Sequence, residues 1–389
     1  MTTATAFGDV TLFHRLPKRH PAPGFEAEGV EAFFYDGPCC GGRATRIFAW
    51  YGRPENASPE HPVPGVVLIH GGGATALPDW VRLWNSHGFA AISMDTCGGV
   101  PAWNENPYCR PQWPRHAHSG PAGWGNLADS EQPPAEQWMF HAVASALLAR
   151  TLLASFPEVD AGNIGLTGIS WGAVIGCNAA GLEERFRFAI PVYGCGFFNL
   201  PESRLVGTGE SDRQRDRWFQ LWDPGRHLSA AAMPFLWLTG AEDSAFPLPA
   251  WQRSSAASRG TVCRSLRIDY PHDHTRCWSS KTIFDFARST VEGKRLPSFG
   301  PVSRDGENLH VRFDRAGRGI RSVELCFTRA AGAWQDRRWH TLPAKADGDE
   351  ISAELPQLTT AAFFQCRDAN GALWSSELLE IHHRNPMQT

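Results

Sequence analysis

Asn163-Ile-Gly-Leu-Thr-Gly-Ile-Ser-Trp-Gly172 is the stretch that decides the fold. Its first half, Asn163–Gly168, is an apolar run suited to a buried strand, and the residues from Ala173 onward suit an apolar helix. Between them stands Gly168-Ile-Ser170-Trp-Gly172, a G-x-S-x-G motif in strand–turn–helix context. So tight a turn leaves no room for side chains at its flanks, which accounts for both glycines. Ser170 is thereby pushed to the top of a sheet, at the N-terminus of a helix whose dipole favours developing negative charge. A serine so placed reads as a nucleophile; a glycine-rich helix start with a serine cap is the plain alternative.

Further apolar runs lie on either side of this stretch. Pro64–Ile69 ends in His70-Gly-Gly-Gly73, and Ala90–Met94 ends at Asp95. Phe188–Tyr193, Pro234–Thr239 and Ser265–Tyr270 follow the elbow. Continuous apolar runs suit strands covered on both faces. Helical patterns fall between them: in Glu136–Phe156, Phe140, Val143, Ala144, Leu147, Leu148 and Thr151 share one face, and Lys281–Val291 is a shorter helix. Such alternation predicts a mostly parallel α/β sheet with helices on both faces. Residues 1–60 supply two more strands, Val30–Tyr35 and Thr45–Tyr51, that lead into this sheet. The catalytic domain is expected at 61–296, with insertions at 97–137 and 197–228.

From 297 to 389 the runs become short and alternating, as in His310–Phe313, Val323–Phe327 and Ala361–Cys366, which predicts a small, immunoglobulin-like all-β sandwich that supplies no catalytic group. Cys326 and Cys366, with Trp334 and Trp339 between, invite an immunoglobulin-type disulfide. The alternation argues against it, because Val323, Leu325 and Phe327 share a face and put Cys326 on the other.

A nucleophilic serine needs a base and an orienting acid, in chain order Ser…Asp…His for this architecture. Asp243 follows the strand at 234–239, with Glu242 as rival. Tyr270-Pro-His272-Asp-His274 follows the next strand. With Tyr270 closing that strand and Pro271 ending its ladder, the turn through 271–273 should deliver His274 as base, His272 being the alternative. Two backbone N–H groups must face the oxyanion. Trp171 follows the nucleophile, and Gly72 lies in the glycine turn after residue 69.

Taken together, these motifs resemble the α/β-hydrolases, in particular the branch of acetyl xylan esterases and dienelactone-hydrolase-like proteins. The resemblance spans about residues 30 to 290. It includes Met94-Asp-Thr-Cys-Gly-Gly99, Gly120-Pro-Ala-Gly-Trp-Gly125, Pro191-Val-Tyr-Gly-Cys-Gly196 and the Pro271-His-x-His274 ending. It implies a serine carboxylesterase acting on short-chain, acetyl-type esters, including those of carbohydrates, without a cofactor. Dienelactone hydrolases proper carry cysteine at the place of Ser170, and family members usually have glycine at the place of Asp273. A peptidase of the same fold is one alternative. A non-catalytic carbohydrate-binding protein, its sixteen tryptophans serving as a platform, is another.

The 37 basic against 40 acidic residues give a net charge of −3, with no basic excess to neutralise phosphates, so nucleic acid is not an expected partner. No apolar run approaches the roughly 18 residues that span a bilayer. Met1–Asp9 lacks a basic n-region and an apolar core, so a cytoplasmic protein is expected, a trimmed secreted one being the alternative. The ten cysteines show no C-x-x-C spacing and read as thiols. Cys97, Cys109, His116 and His118 match no familiar zinc spacing, so no metal is expected. The long connection Cys97–Gln137, rich in Trp and Pro, is expected to lie over Ser170 as a stiff wall. Trp113 and Trp124 would then line the acyl site.

Overall fold

The computed structural model describes residues 6–102, 113–123, 127–200, 211–274, 277–278 and 280–381. Nine strands form the large sheet: β1 (Arg19–Pro21), β2 (Glu31–Cys40), β3 (Arg43–Gly52), β4 (Val63–Ile69), β5 (Ala90–Met94), β6 (Val159–Ile169), β7 (Ala189–Val192), β8 (Phe235–Gly240) and β9 (Val262–Arg267). Their order is β1-β2-β3-β5-β4-β6-β7-β8-β9. The pairs from β5 through to β9 are parallel, and β1, β2 and β3 add on antiparallel.

Among the described residues six helices accompany the sheet: α1 (Pro78–Ser86), α2 (Trp138–Leu153), α3 (Trp171–Leu182), α4 (Asp212–Trp222), α5 (Leu248–Ala257) and α6 (Lys281–Val291). β4 shows why its sequence is unbroken in apolar residues. Val66 and Leu68 pack in one core with Trp80, Trp84 and Phe286, while Val67 and Ile69 pack in the other with Val143, Leu147 and Val174. Alternation along a strand sends neighbours to opposite faces, and here both faces are roofed.

α2 departs from the one-sided pattern expected of it, because all of its residues are buried. The N-terminal segment covers its outer side: Phe7 stacks on Phe140 at 4.6 Å, and Thr151 Oγ1 donates to the Phe13 carbonyl at 2.8 Å. The second insertion also contributes to the core. Ser211 caps α4 through a reciprocal bond with Gln214, and Trp218 and Trp222 are buried. The Trp222 indole N–H donates to Gln137 Oε1 at 2.7 Å.

Beyond residue 296 the described residues build two antiparallel sheets of five strands each. Cys326 lies opposite Phe363 and Cys366 opposite Val323. The two cysteines therefore stand on opposite faces of one sheet, and both are buried because both faces are covered. Cys326, Trp339 and Phe363 join the same core as α2 and α3 of the large sheet.

The tail also closes the exposed edge of β9. Ser265 Oγ donates to the Leu373 carbonyl at 2.7 Å. Leu266 N–H donates to Ser375 Oγ at 2.8 Å, and Gln365 Nε2 donates to the Leu266 carbonyl at 2.8 Å. Gln252 on α5 adds a bond from its Nε2 to the Leu378 carbonyl at 2.8 Å. An unpaired edge strand is a template for aggregation, and here side chains rather than a further ladder take its polar groups. Removing residues 297–389 is accordingly expected to leave an aggregation-prone chain, checked by size-exclusion chromatography after expression.

Two histidines outside the site give the fold an acid limit. His116 lies against Phe34, with ring centroids 4.7 Å apart, and His227 lies against Gly181. Burial pushes each ring down to about 4. The unfolded chain takes up these protons below about pH 6.5 while the folded chain does not, so their contribution is full above 6.5 and is lost as pH falls towards 4. The melting temperature should fall across that window, and His227→Gln should flatten the slope in calorimetry.

Candidate active site

β5 and β6 flank β4, so chain order reverses at β4, and the carboxyl ends of β4 and β6 are where open α/β sheets bind ligands. Ser170 stands there, between β6 and α3, with φ 57° and ψ −120°. That is a sparsely populated conformation for a residue with a side chain, at a cost of about 1–3 kcal/mol. The surroundings hold it. Ser170 N–H donates to the Val192 carbonyl at 2.8 Å. A Cβ on Gly168 would lie 2.1 Å from the Gly172 carbonyl oxygen, and one on Gly172 would lie 2.1 Å from the Ile69 carbonyl oxygen. Both glycines are therefore demanded by backbone packed against backbone.

Trp171 opens α3, so its N–H is one of the amides a helix leaves without an internal acceptor. Gly72 lies in a four-residue turn, Gly71 to Ala74, closed by Ala74 N–H to the Gly71 carbonyl at 3.3 Å, with Gly73 at φ 78°. The turn is buttressed by its neighbours. His70 is buried, and its Nε2 accepts from Thr96 N–H at 3.1 Å. That nitrogen is therefore unprotonated, and Nδ1–H donates to the Gly71 carbonyl at 2.9 Å. The Trp113 indole N–H donates to the Gly73 carbonyl at 3.2 Å. Trp113 is thus a buried support of the turn; Trp124 lies outside the described residues.

The described part of the Cys97–Gln137 connection is anchored on the end of β5. Asp95 Oδ2 accepts from Cys97 N–H and Gly99 N–H, both at 2.8 Å. Arg115 Nη1 donates to the Cys97 carbonyl at 2.7 Å, and Ser119 Oγ donates to the Gly98 carbonyl at 2.6 Å. Cys97 Sγ donates to the Gly123 carbonyl, and among the described residues no three metal-ligating side chains converge.

Asp243 is buried after β8 and accepts from Ala245 N–H and Phe246 N–H at 2.8 and 2.9 Å. It also accepts from Thr239 Oγ1 at 3.4 Å and meets His272, whose Nδ1 lies 3.1 and 3.2 Å from the two carboxylate oxygens. The structure thus brings His272, not the expected His274, to the acid. The cause is where the strand ends. β9 stops at Arg267 rather than Tyr270, and Asp269 turns the chain at φ 53°. The loop starts three residues sooner, so the earlier histidine arrives over Asp243. Glu242 faces elsewhere: burial and the nearby Asp269 charge raise its carboxyl above the usual range.

Aromatic rings bracket the His272 imidazole. Tyr193 lies 4.8 Å from it, and Phe246 lies 6.1 Å away and nearly parallel. Tyr193 itself sits at φ 54° and donates its hydroxyl to the Pro271 carbonyl at 2.9 Å. No role for it was legible in Pro191-Val-Tyr-Gly194, where only the glycine after it hints at a tight strand end. On the other side of Ser170, Trp171 contacts Trp138, Phe198 and Trp218 at ring distances of 5.9 to 6.1 Å.

With this geometry in view, comparison with known proteins is direct. A family model described as acetyl xylan esterase (AXE1) matches residues 22–236. The chain belongs to the acetyl xylan esterase family. It is a serine ester hydrolase of α/β-hydrolase fold. The match includes Ser170 and the Gly71–Ala74 turn but ends before Asp243 and the histidine loop. An acetyl xylan esterase from Paenibacillus sp. R4 superposes with a TM-score of 0.58 at 20% identity, over 74% of this chain and 94% of that one. Acetyl xylan esterase 1 from Thermoanaerobacterium sp. JW/SL YS485 gives 0.52 at 16%, over 73% and 93%. At these identities the likeness concerns the fold. No curated protein sequence matches the chain.

If Tyr193 holds the esterase's histidine loop through Pro271, Tyr193→Phe should lower kcat about tenfold, as expected when catalytic geometry loosens. KM for p-nitrophenyl acetate should stay within about twofold, and steady-state kinetics separate the two.

Proposed function

We propose that this esterase hydrolyses short-chain, acetyl-type esters of carbohydrates or other small alcohols through an acyl-enzyme on Ser170. The observation that carries the reading is the His272–Asp243 pair, set at the same sheet edge as the strained serine. His272 Nδ1–H donates to Asp243, which leaves Nε2 free as the base. As Ser170 Oγ attacks the ester carbonyl, its proton passes to His272 Nε2. The carbonyl π electrons move onto oxygen, which Gly72 N–H and Trp171 N–H then stabilise. His272 returns the proton to the leaving alcohol oxygen as the C–O bond breaks. Water then attacks acyl-Ser170, giving its proton to the same nitrogen; as the tetrahedral adduct collapses the Oγ–C bond breaks, that proton passes to Ser170 Oγ and the carboxylic acid leaves. No step calls for a cofactor.

A small acyl group fits the wall around the serine. Trp171, Phe198, Trp218 and Phe246 are all buried and already packed on one another, and Trp113 is fixed behind the glycine turn. Rings so placed cannot yield cheaply to a long chain. A carbohydrate-binding protein without catalysis has no use for the strain at Ser170, which favours the enzyme.

Ser170→Ala should lower kcat by about 10⁶-fold, and His272→Ala by at least about 10⁴-fold. The burst of p-nitrophenol from p-nitrophenyl acetate should vanish in both. The wild type should prefer acetyl to octanoyl esters by orders of magnitude in kcat/KM; equal rates would remove the small acyl site, and peptide cleavage would favour the peptidase reading.

A further inference from the structure

The loop after β9 carries a second histidine for which the reaction above has no use. His274 lies two residues beyond His272, with ring centroids 6.0 Å apart, and its ring reaches the glycine turn. A Cβ on Gly71 would lie 2.5 Å from His274 Cε1 and 2.7 Å from His274 Nε2. It would also lie 2.9 Å from the carbonyl oxygen of Ile169, the residue before the nucleophile. Gly71 is therefore wedged between the end of β6 and the edge of an imidazole. The His274 main chain is itself tied down, because Cys277 Sγ donates to its carbonyl at 3.4 Å.

Gly71 is the first residue of the turn that carries Gly72 N–H. Two of the turn's carbonyls are held by His70 and Trp113. Those bonds fix the carbonyl oxygens but leave the Gly71 α-carbon without a side chain of its own to pack. The His274 ring fills that place.

We propose that His274 is a positioning residue whose ring seats Gly71 and so aims Gly72 N–H at the oxyanion, making one loop responsible for both the base and the oxyanion turn. This rests on the assignment of Ser170, His272 and Asp243 given above. The role is one of shape and needs an uncharged ring. Burial, aided by His272 and His70 and opposed by Asp273, pushes His274 down to about 4, so the ring is neutral near pH 7. Neither proton transfer nor hydrogen bonding is asked of it.

The test uses His274→Ala, His274→Phe, Gly71→Ala and the double variant Gly71→Ala/His274→Ala, each checked for folding by circular dichroism. With p-nitrophenyl acetate, His274→Ala should lower kcat about 10- to 100-fold, the range for a misaimed catalytic group, with KM within about twofold. His274→Phe keeps a flat ring without the polar edge, and it should recover most of that loss. Gly71→Ala drives a methyl into the ring, so it should cost more activity in the wild type than in the His274→Ala background. The proposal is overturned if His274→Ala behaves as wild type, if His274→Phe is as impaired as His274→Ala, or if the Gly71→Ala cost is the same in both backgrounds. A different failure marks the parent assignment. If His272→Ala keeps the p-nitrophenol burst and His274→Ala abolishes it, the base is His274 and both readings fall.

Discussion

Backbone meets backbone where β4, β6 and α3 converge. The α-carbon of Gly172 stands against the carbonyls of Ile69 and His70, and that of Gly168 against the carbonyl of Gly172. This approach binds the end of one strand, the end of its neighbour and the start of a helix into a single knot. Ser170 is forced to positive φ because the chain has no other way through it. The knot also sets the two amides proposed as oxyanion donors, since Trp171 begins the helix and the turn carrying Gly72 begins one residue after His70. A fold with open space at either glycine would relax the serine and separate the donors from it.

Strain recurs along the same edge. Ser170 follows β6, Tyr193 follows β7 and Asp269 follows β9, and all three non-glycine residues have φ between 53° and 57°. Each bends the chain sharply just past the carboxyl end of its strand, so that loops rise over the sheet edge instead of running on. Strain of this kind persists only where surrounding packing over-determines it. Here the packing is aromatic: Tyr193 lies against Tyr270 at 5.3 Å and against His272. The stability cost is concentrated where the proposed chemistry needs aim.

The positions of Ser170, Asp243 and the glycine turn at strand ends were legible because each follows an apolar run by a short, fixed interval, and such runs are the strongest local signal. Which histidine meets Asp243 was not settled by the same rule. Ser265–Tyr270 reads as a strand, yet Asp269 leaves the extended region, and nothing in Ile268-Asp-Tyr270 announces that. The turn there follows from Tyr270 packing on Tyr193, a contact between residues far apart in the chain. The burial of α2 on all sides was hidden for a similar reason, since its cover comes from residues near the N-terminus. Periodicity reports the first neighbour of a helix but not the second. Trp113 was expected at the site and is there as a support, because a tryptophan's position does not reveal whether its ring faces substrate or its N–H faces backbone.

The junction between β9 and the tail is made by Ser265, Ser375 and Gln365, not by a ladder. A ladder would lock the register and carry the twist of one sheet into the next. Three side-chain bonds do neither. Each sheet keeps its own curvature, and the large sheet ends at β9 without offering a tenth position. In evolutionary terms the joint is forgiving: insertions that lengthen the tail's loops leave the sheet edge undisturbed so long as these side chains, and the Cys326, Trp339 and Phe363 that share the core of α2 and α3, keep their places.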